Sequence, residues 1–262
     1  LVFLHGTPWS SVLWRPIALA LARRFTVYLW DMPGYGSSSK DPSHAVDLGV
    51  QGELFAALLE SWELDQAHIV AHDFGGAVAL RARLLHGATF ASLCLVDVVA
   101  LAPWGSPFFK LVQNHAQVFE QLPSAVHRGA VESYISGASY KDLRASELQM
   151  LVEPWLDEEG QPAFYRQIAQ ADERFTTEIE TWLGSITEPV KIVWGTEDAW
   201  IPVDRAHRLK DLIPHASVAL IPEAGHLIQL DAPAALSVEL TNWLAAVSSG
   251  NSASVAVAPI AE

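Results

Sequence analysis

Residues 68–81 read HIVAHDFGGAVALR: an apolar, strand-like run turns within a few residues into a small-residue, helix-like one, with one charged side chain, Asp73, at the bend. A turn that throws a side chain forward from a strand into a helix needs small residues two before and two after it. Ala71 and Gly75 meet that need, and Gly76 lets the helix pack close. The helix start beneath the turn supplies free N–H groups and partial positive charge. An aspartate that only capped this helix would be ordinary, but a cap explains neither the small residues on both sides nor the partners found further along. Asp73 is the candidate nucleophile.

Short, continuous apolar runs of β-type residues recur at 1–4, 26–30, 68–71, 92–96, 190–194 and 217–221. Continuous apolarity suits strands buried on both faces. Helix-period stretches lie between them, at 48–62, 75–86 and 203–212, so the order strand, helix, strand predicts an α/β fold with a mostly parallel sheet flanked by helices. After Pro233, the residues Leu236, Leu240, Trp243, Leu244 and Val247 follow helical spacing along one face. Residues 1–99 and 188–247 are thus expected to form the core domain. From 100 to 187 the segments 106–122, 124–136 and 163–183 are helix-like and none is strand-like. Such an all-helical insertion is read as a cap over the carboxyl ends of the strands, where open α/β sheets hold ligands, rather than as extra packing mass. The stretch 248–262 is poor in large apolar groups and reads as a mobile end. There are no internal repeats.

The 262 residues are half apolar and 18% charged, which excludes a disordered chain. Acidic residues outnumber basic ones 30 to 16, a balance that repels phosphate backbones and anionic surfaces, so neither nucleic acid nor membrane is an expected partner. The single cysteine, Cys94, lies in an apolar run and is expected to be buried and inert. The first residues are too short and too uncharged for a signal peptide, and no apolar run approaches the ~20 residues of a membrane span. A cytoplasmic protein, monomer or homodimer, is the default expectation, although the chain starts without methionine in a strand-like segment.

The partners of Asp73 follow in sequence. WGTEDAWIP (194–202) ends a strand with Gly195 and places Asp198 three residues on, and IPEAGHLIQLDAP (221–233) places His226 after the last strand. Nucleophile, acid and histidine in this order, each at a strand's carboxyl end, is the order of the α/β-hydrolase fold. FLHGTPWSS (3–11) adds a histidine-glycine turn that brings the Thr7 amide near the bend, where it would join the Phe74 amide as an oxyanion hole. Asp97, after the strand at 92–96, is the rival to Asp198. His72 and Asp31 read as turn-shaping residues.

With AHDFGG, HGTPWSS, WDMPGYGSSSK and GHLIQLDAP together, the sequence resembles the α/β-hydrolase superfamily over residues 1–247, and within it the epoxide hydrolase and haloalkane dehalogenase branch. In that branch strands usually precede the histidine-glycine turn. Only four residues precede His5 here, so a short sheet edge or missing upstream residues are expected. True absence of those strands would lower stability and promote association at the edge, which a melting comparison with an amino-terminally extended chain would measure.

An aspartate, with an ordinary pKa of about 4, is ionised at neutral pH and needs no base to attack. As a weak nucleophile it suits saturated carbon in a strained ring or bearing a good leaving group, giving a covalent ester on Asp73. His226, oriented by Asp198, would then activate water. For an epoxide, the resemblance implies two cap tyrosines that protonate the ring oxygen: Tyr165, in a Tyr-Arg pair, and either Tyr134 or Tyr140. For a halide it implies an indole directly after the nucleophile. Phe74 supplies none, and Trp9 and Trp104 are the candidate N–H donors. The expectation is a cofactor-independent and metal-independent hydrolase for a small apolar organic substrate and water, an epoxide hydrolase first. A haloalkane or haloacid dehalogenase, or a ligand-binding protein of this fold without turnover, are the alternatives.

Overall fold

The computed structural model describes residues 1–252. Six parallel strands form its sheet: β1 (Val2–Leu4), β2 (Tyr28–Leu29), β3 (Ala67–His72), β4 (Phe90–Val96), β5 (Val190–Gly195) and β6 (Ser217–Ile221), in the order β2-β1-β3-β4-β5-β6. The helices are α1 (Arg15–Leu21), α2 (Leu48–Ser61), α3 (Phe74–Leu85), α4 (Pro107–Phe119), α5 (Ser124–Ser136), α6 (Ala145–Val152), α7 (Gly160–Ala169), α8 (Arg174–Glu180), α9 (Asp204–Leu212), α10 (Ile228–Asp231) and α11 (Pro233–Ser252). All six expected strands are present, and the described chain between β4 and β5 carries helices and no strand. The expected helix at 163–183 is two, α7 and α8, because residues 170–173 turn the chain between them. The expected mobile end is corrected in part: residues 248–252 continue α11, and the rest lies outside the described residues.

The continuous apolarity of the strands follows from burial on both faces. Val2, Leu4, Ile69, Leu93, Leu95, Ile192 and Trp194 pack on one side, with α2, α3 and residues of the helical insertion. Phe3, Val70, Cys94, Val96 and Val193 pack on the other, against Trp14, Ile17 and Leu21 of the α1 region. Leu236, Leu240, Trp243 and Leu244 of α11 close that side as the helical spacing predicts. Each large aliphatic side chain buried in these two layers contributes roughly 1.5–3 kcal/mol. Cys94 is fully buried, and burial pushes its thiol far above the ordinary value.

The strand order fixes where a ligand can sit. From β1 the sheet grows one way to β2 and the other way through β3, so the crevice at the carboxyl ends of β1 and β3 is the switch point of the topology. Leu4 pairs with Ala71 and His72 with Val96, which sets His5–Thr7, Asp73 and Asp97 side by side at that edge. Gly75 has no room for a side chain, since a Cβ there would stand 2.6 Å from the His5 carbonyl oxygen. Among the described residues no helix is long and apolar enough to cross a membrane.

Candidate active site

Asp73 sits at the start of α3 with φ 51° and ψ −123°, a conformation that costs a non-glycine residue on the order of 1–3 kcal/mol. The surroundings over-determine it. The Asp73 carbonyl accepts from Gly76 N (2.9 Å) and Val99 N (3.1 Å), while Gly6 passes so close to the carboxylate that a side chain at residue 6 would strike it. The two oxygens of the carboxylate have different neighbours. Oδ1 accepts a 2.5 Å bond from the Thr7 amide, and Oδ2 lies 3.3 Å from His226 Nε2. That nitrogen makes no hydrogen bond among the described residues. No bond joins the Phe74 amide to the carboxylate in this arrangement; Thr7 alone of the two expected donors touches it.

His226 is fully buried in the loop after β6, and its Nδ1 lies 2.8 Å from Asp198 Oδ2. The other oxygen of Asp198 accepts from Trp200 N (2.8 Å) and Ile201 N (2.9 Å), which fixes the carboxylate plane. Burial pulls the His226 imidazole down, but the Asp198 carboxylate and then Asp73 outweigh it and hold the ring well above its ordinary value. The loop itself is tied from two sides. His72 Nε2 donates to the His226 carbonyl (2.8 Å), and burial, reinforced by His226, lowers His72 to about 3, so that ring is neutral. Asp231 accepts from Gly225 N, Tyr140 N and Lys141 N at 2.8–3.1 Å, joining the loop to the helical insertion.

Asp97 does not reach the histidine by hydrogen bond. Its Oδ1 accepts from Gly195 N (2.8 Å), bracing β4 against β5, and its Oδ2 has no partner among the described residues. Full burial, then the nearby Asp198 charge, push this carboxyl well above the carboxylate range. An acid whose proton is held more tightly when folded loses stability as pH climbs from about 4 toward the folded value. Asp97→Asn removes that loss and keeps an acceptor for Gly195, so it should raise the melting midpoint at pH 7.5 by roughly 2–4 °C, one kcal/mol's worth in a chain this size. It should also flatten the midpoint's decline between pH 5 and 8. A scanning melt at several pH values checks both.

Asp73, Thr7, Phe74, Trp104, Tyr134 and Trp200 line one cavity of about 390 Å³ together with apolar residues such as Phe109 and Ile201. A wider cleft of about 720 Å³ beside it shares Trp104 and Lys110 but holds none of the triad. Tyr134 is the tyrosine of the insertion that lines the same cavity as Asp73; burial first, then the Asp73 charge, push its phenol far above the ordinary value. Four expectations are corrected. Tyr165 is fully buried with its hydroxyl 2.8 Å from His127 Nδ1, away from the cavity lining, and burial pushes it up to about 12. Tyr140 is 53% exposed on the Asp231 network. Trp104 lines the cavity, but its ring N–H donates to Thr176 Oγ1 (2.9 Å), so it offers none to a leaving group. Trp9, also expected at the substrate, is buried outside the lining and stacked on Trp200 at 5.7 Å, its Nε1 without a partner among the described residues.

Sequence reasoning passed over three residues here. Trp200 stacks on His226 (5.1 Å) and on Tyr134 (4.5 Å), shielding the imidazole from solvent. Its place two residues after Asp198 was the available signal. Tyr35 and Gln167 meet at Thr7 from segments 132 residues apart, a meeting no local pattern announces. Among the described residues no group of His, Cys, Asp or Glu side chains is arranged to hold a metal ion.

A strained carboxylate at a strand-to-helix turn, with a histidine and acid on neighbouring strand ends, defines a hydrolase of the α/β fold. The model of the alpha/beta hydrolase family matches residues 1–239, and the chain belongs to that family. It is 43% identical to an alpha/beta hydrolase fold protein from Burkholderia ambifaria, with a TM-score of 0.89 over 92% of this chain and 89% of that one. A haloalkane dehalogenase from Bradyrhizobium elkani USDA94 superposes with a TM-score of 0.80 at 20% identity, over 95% of this chain and 90% of that one, a likeness of fold. Among curated proteins, the dihydrolipoyllysine-residue acetyltransferase component of an acetoin cleaving system from Pseudomonas putida is 27% identical over 93% of this chain, which spans 63% of that protein's length.

Proposed function

We propose that this hydrolase works through a covalent ester on Asp73 and that its substrates are epoxides. The observation that carries the reading is the division of the carboxylate of Asp73, a residue of the cavity lining: Oδ1 is held by the Thr7 amide and Oδ2 lies beside His226. Oδ2 attacks a ring carbon, the carbon–oxygen bond of the ring breaks, and the oxygen takes the Tyr134 proton. Esterification removes the Asp73 charge, one of the two that favour the imidazolium, so His226 becomes a competent base when one is needed. Nε2 then takes a proton from water, the hydroxide adds to the ester carbonyl carbon, and negative charge develops on Oδ1 against the Thr7 amide. On collapse the leaving oxygen takes the proton held by His226 and the second proton of the water returns to Tyr134, releasing a diol that carries the former Oδ2 while the carboxylate keeps the oxygen from water. Trp200 and the apolar walls keep other water away.

A single turnover with styrene oxide in ¹⁸O-water tests this. The label should enter the Asp73 peptide and be missing from the first diol; label in the diol alone would refute the ester. Epoxides are favoured over alkyl halides because Phe74 has no ring N–H and that of Trp104 is committed, whereas Tyr134 presents a phenol. Tyr134→Phe should therefore slow ester formation from styrene oxide about 10²-fold, a typical contribution of a positioned acid. Rapid-quench measurement of the adduct checks it, and chloride release from 1-chlorobutane without any diol from styrene oxide would move the reading to a dehalogenase.

A further inference from the structure

Gln167 is buried on α7, and its side-chain oxygen accepts two hydrogen bonds from the core: one from Thr7 Oγ1 at 2.5 Å and one from the Tyr35 hydroxyl at 3.0 Å. Its amide nitrogen donates to the Phe164 carbonyl (3.0 Å), which fixes which end of the side chain points at Thr7. Tyr35 in turn packs edge-on against His5 of the histidine-glycine turn and against Trp155 of the insertion. From this arrangement we infer that Gln167 is a positioning residue, a bolt from the helical insertion that holds the Thr7 amide on Asp73 Oδ1 and so makes the oxyanion contact depend on closure of the insertion over the core. The inference rests on the ester mechanism proposed above for its kinetic consequence, but not for its geometry.

The chemistry of the two steps separates this role from simple packing. The Thr7 amide stabilises the ionised carboxylate before attack, and a looser bond there leaves Oδ2 at least as reactive. During ester hydrolysis the same oxygen gains a full negative charge, and a donor out of place by a fraction of an ångström gives up much of its stabilisation. Loss of the bolt must therefore slow the second step and spare the first. Burial makes the effect larger, since Thr7, Tyr35 and Gln167 are each within 3% of full burial and no solvent competes for their bonds.

Gln167→Met keeps the length and removes the acceptor; Thr7→Val removes the donor from the core side while keeping the backbone amide. In single turnovers with styrene oxide, each variant should slow adduct hydrolysis 10- to 100-fold and change adduct formation less than threefold. The double variant should be no slower than Gln167→Met alone, because that substitution already removes the acceptor of the Thr7 bond. Independent, multiplying losses, or equal slowing of both steps, would overturn the inference. A second measurement needs no substrate: in the ¹⁵N–¹H spectrum of the free protein the Thr7 amide should lie far downfield, and Gln167→Met should move it upfield and speed its exchange with solvent. An unmoved Thr7 amide in a folded Gln167→Met protein would sink the bolt whatever the reaction. A wild-type protein that forms no adduct, with the Thr7 amide shifting as expected, would instead sink the epoxide reading and leave the bolt standing.

Discussion

His226→Ala protein exposed to styrene oxide gains the mass of one epoxide on the peptide carrying Asp73, and the adduct persists for hours while diol formation falls by roughly 10⁴-fold or more. The expectation follows from the two faces of the carboxylate. Oδ2 is the oxygen that the Thr7 amide does not hold, and a carboxylate needs no base to attack, so the first step survives loss of the imidazole. The second step does not, because His226 Nε2 is the basic atom left unbonded beside the ester, and its neighbours offer no substitute. Asp97 is turned toward Gly195 and makes no hydrogen bond to His226, and burial keeps the proton of Tyr134 in place. Removing the imidazole also removes the partner 3.3 Å from Asp73 Oδ2, so ester formation should slow, though far less than hydrolysis. Intact-protein mass spectrometry followed by peptide mapping reads both steps. Absence of any adduct, with diol still produced at a residual rate, would mean that water attacks the substrate directly and that Asp73 is not the nucleophile.

The residues that the sequence made legible are those whose role is written in local pattern. Six runs such as HIVA and SLCLV were readable as strands because burial on both faces suppresses polar residues over the whole run. Asp73 was readable because a strand-to-helix turn admits only small neighbours, and Asp198 and His226 because a strand end precedes each. Direction of a side chain is not written that way. Tyr165 stands at the chain position the resemblance assigns to a ring-opening tyrosine, yet its hydroxyl turns to His127, a partner 38 residues away on α5. Trp104 reaches the cavity, but Thr176 takes its N–H. Gln167 and Tyr35 were invisible for the same reason, since their function exists only where α7 meets the loop after β2. Burial of a polar atom is decided by the segments packed on it, and those lie far apart in the chain.

Asp198→Asn should cost roughly 10³- to 10⁴-fold in the hydrolysis step, and Asp97→Asn no more than a few-fold. The first figure comes from the tautomer. With the wild-type carboxylate, His226 carries its proton on Nδ1, donated to Asp198 Oδ2 at 2.8 Å, and Nε2 is free to take one from water. In the Asp198→Asn variant the oxygen remains with the Trp200 and Ile201 amides, which donate at 2.8 and 2.9 Å, so the new amide nitrogen faces the ring. A donor there forces Nδ1 to accept and places the ring proton on Nε2, where no further proton can be taken. The loss of the Asp198 charge also lowers the imidazole toward its ordinary value or below, since burial then acts with only Asp73 opposing it. Asp97 has no such hold on the ring, and an amide at that position still accepts from Gly195. Adduct lifetimes in the two variants decide between the acids: a short-lived adduct in Asp198→Asn with a trapped one in Asp97→Asn would transfer the orienting role to Asp97, and the reverse order keeps it on the loop after β5.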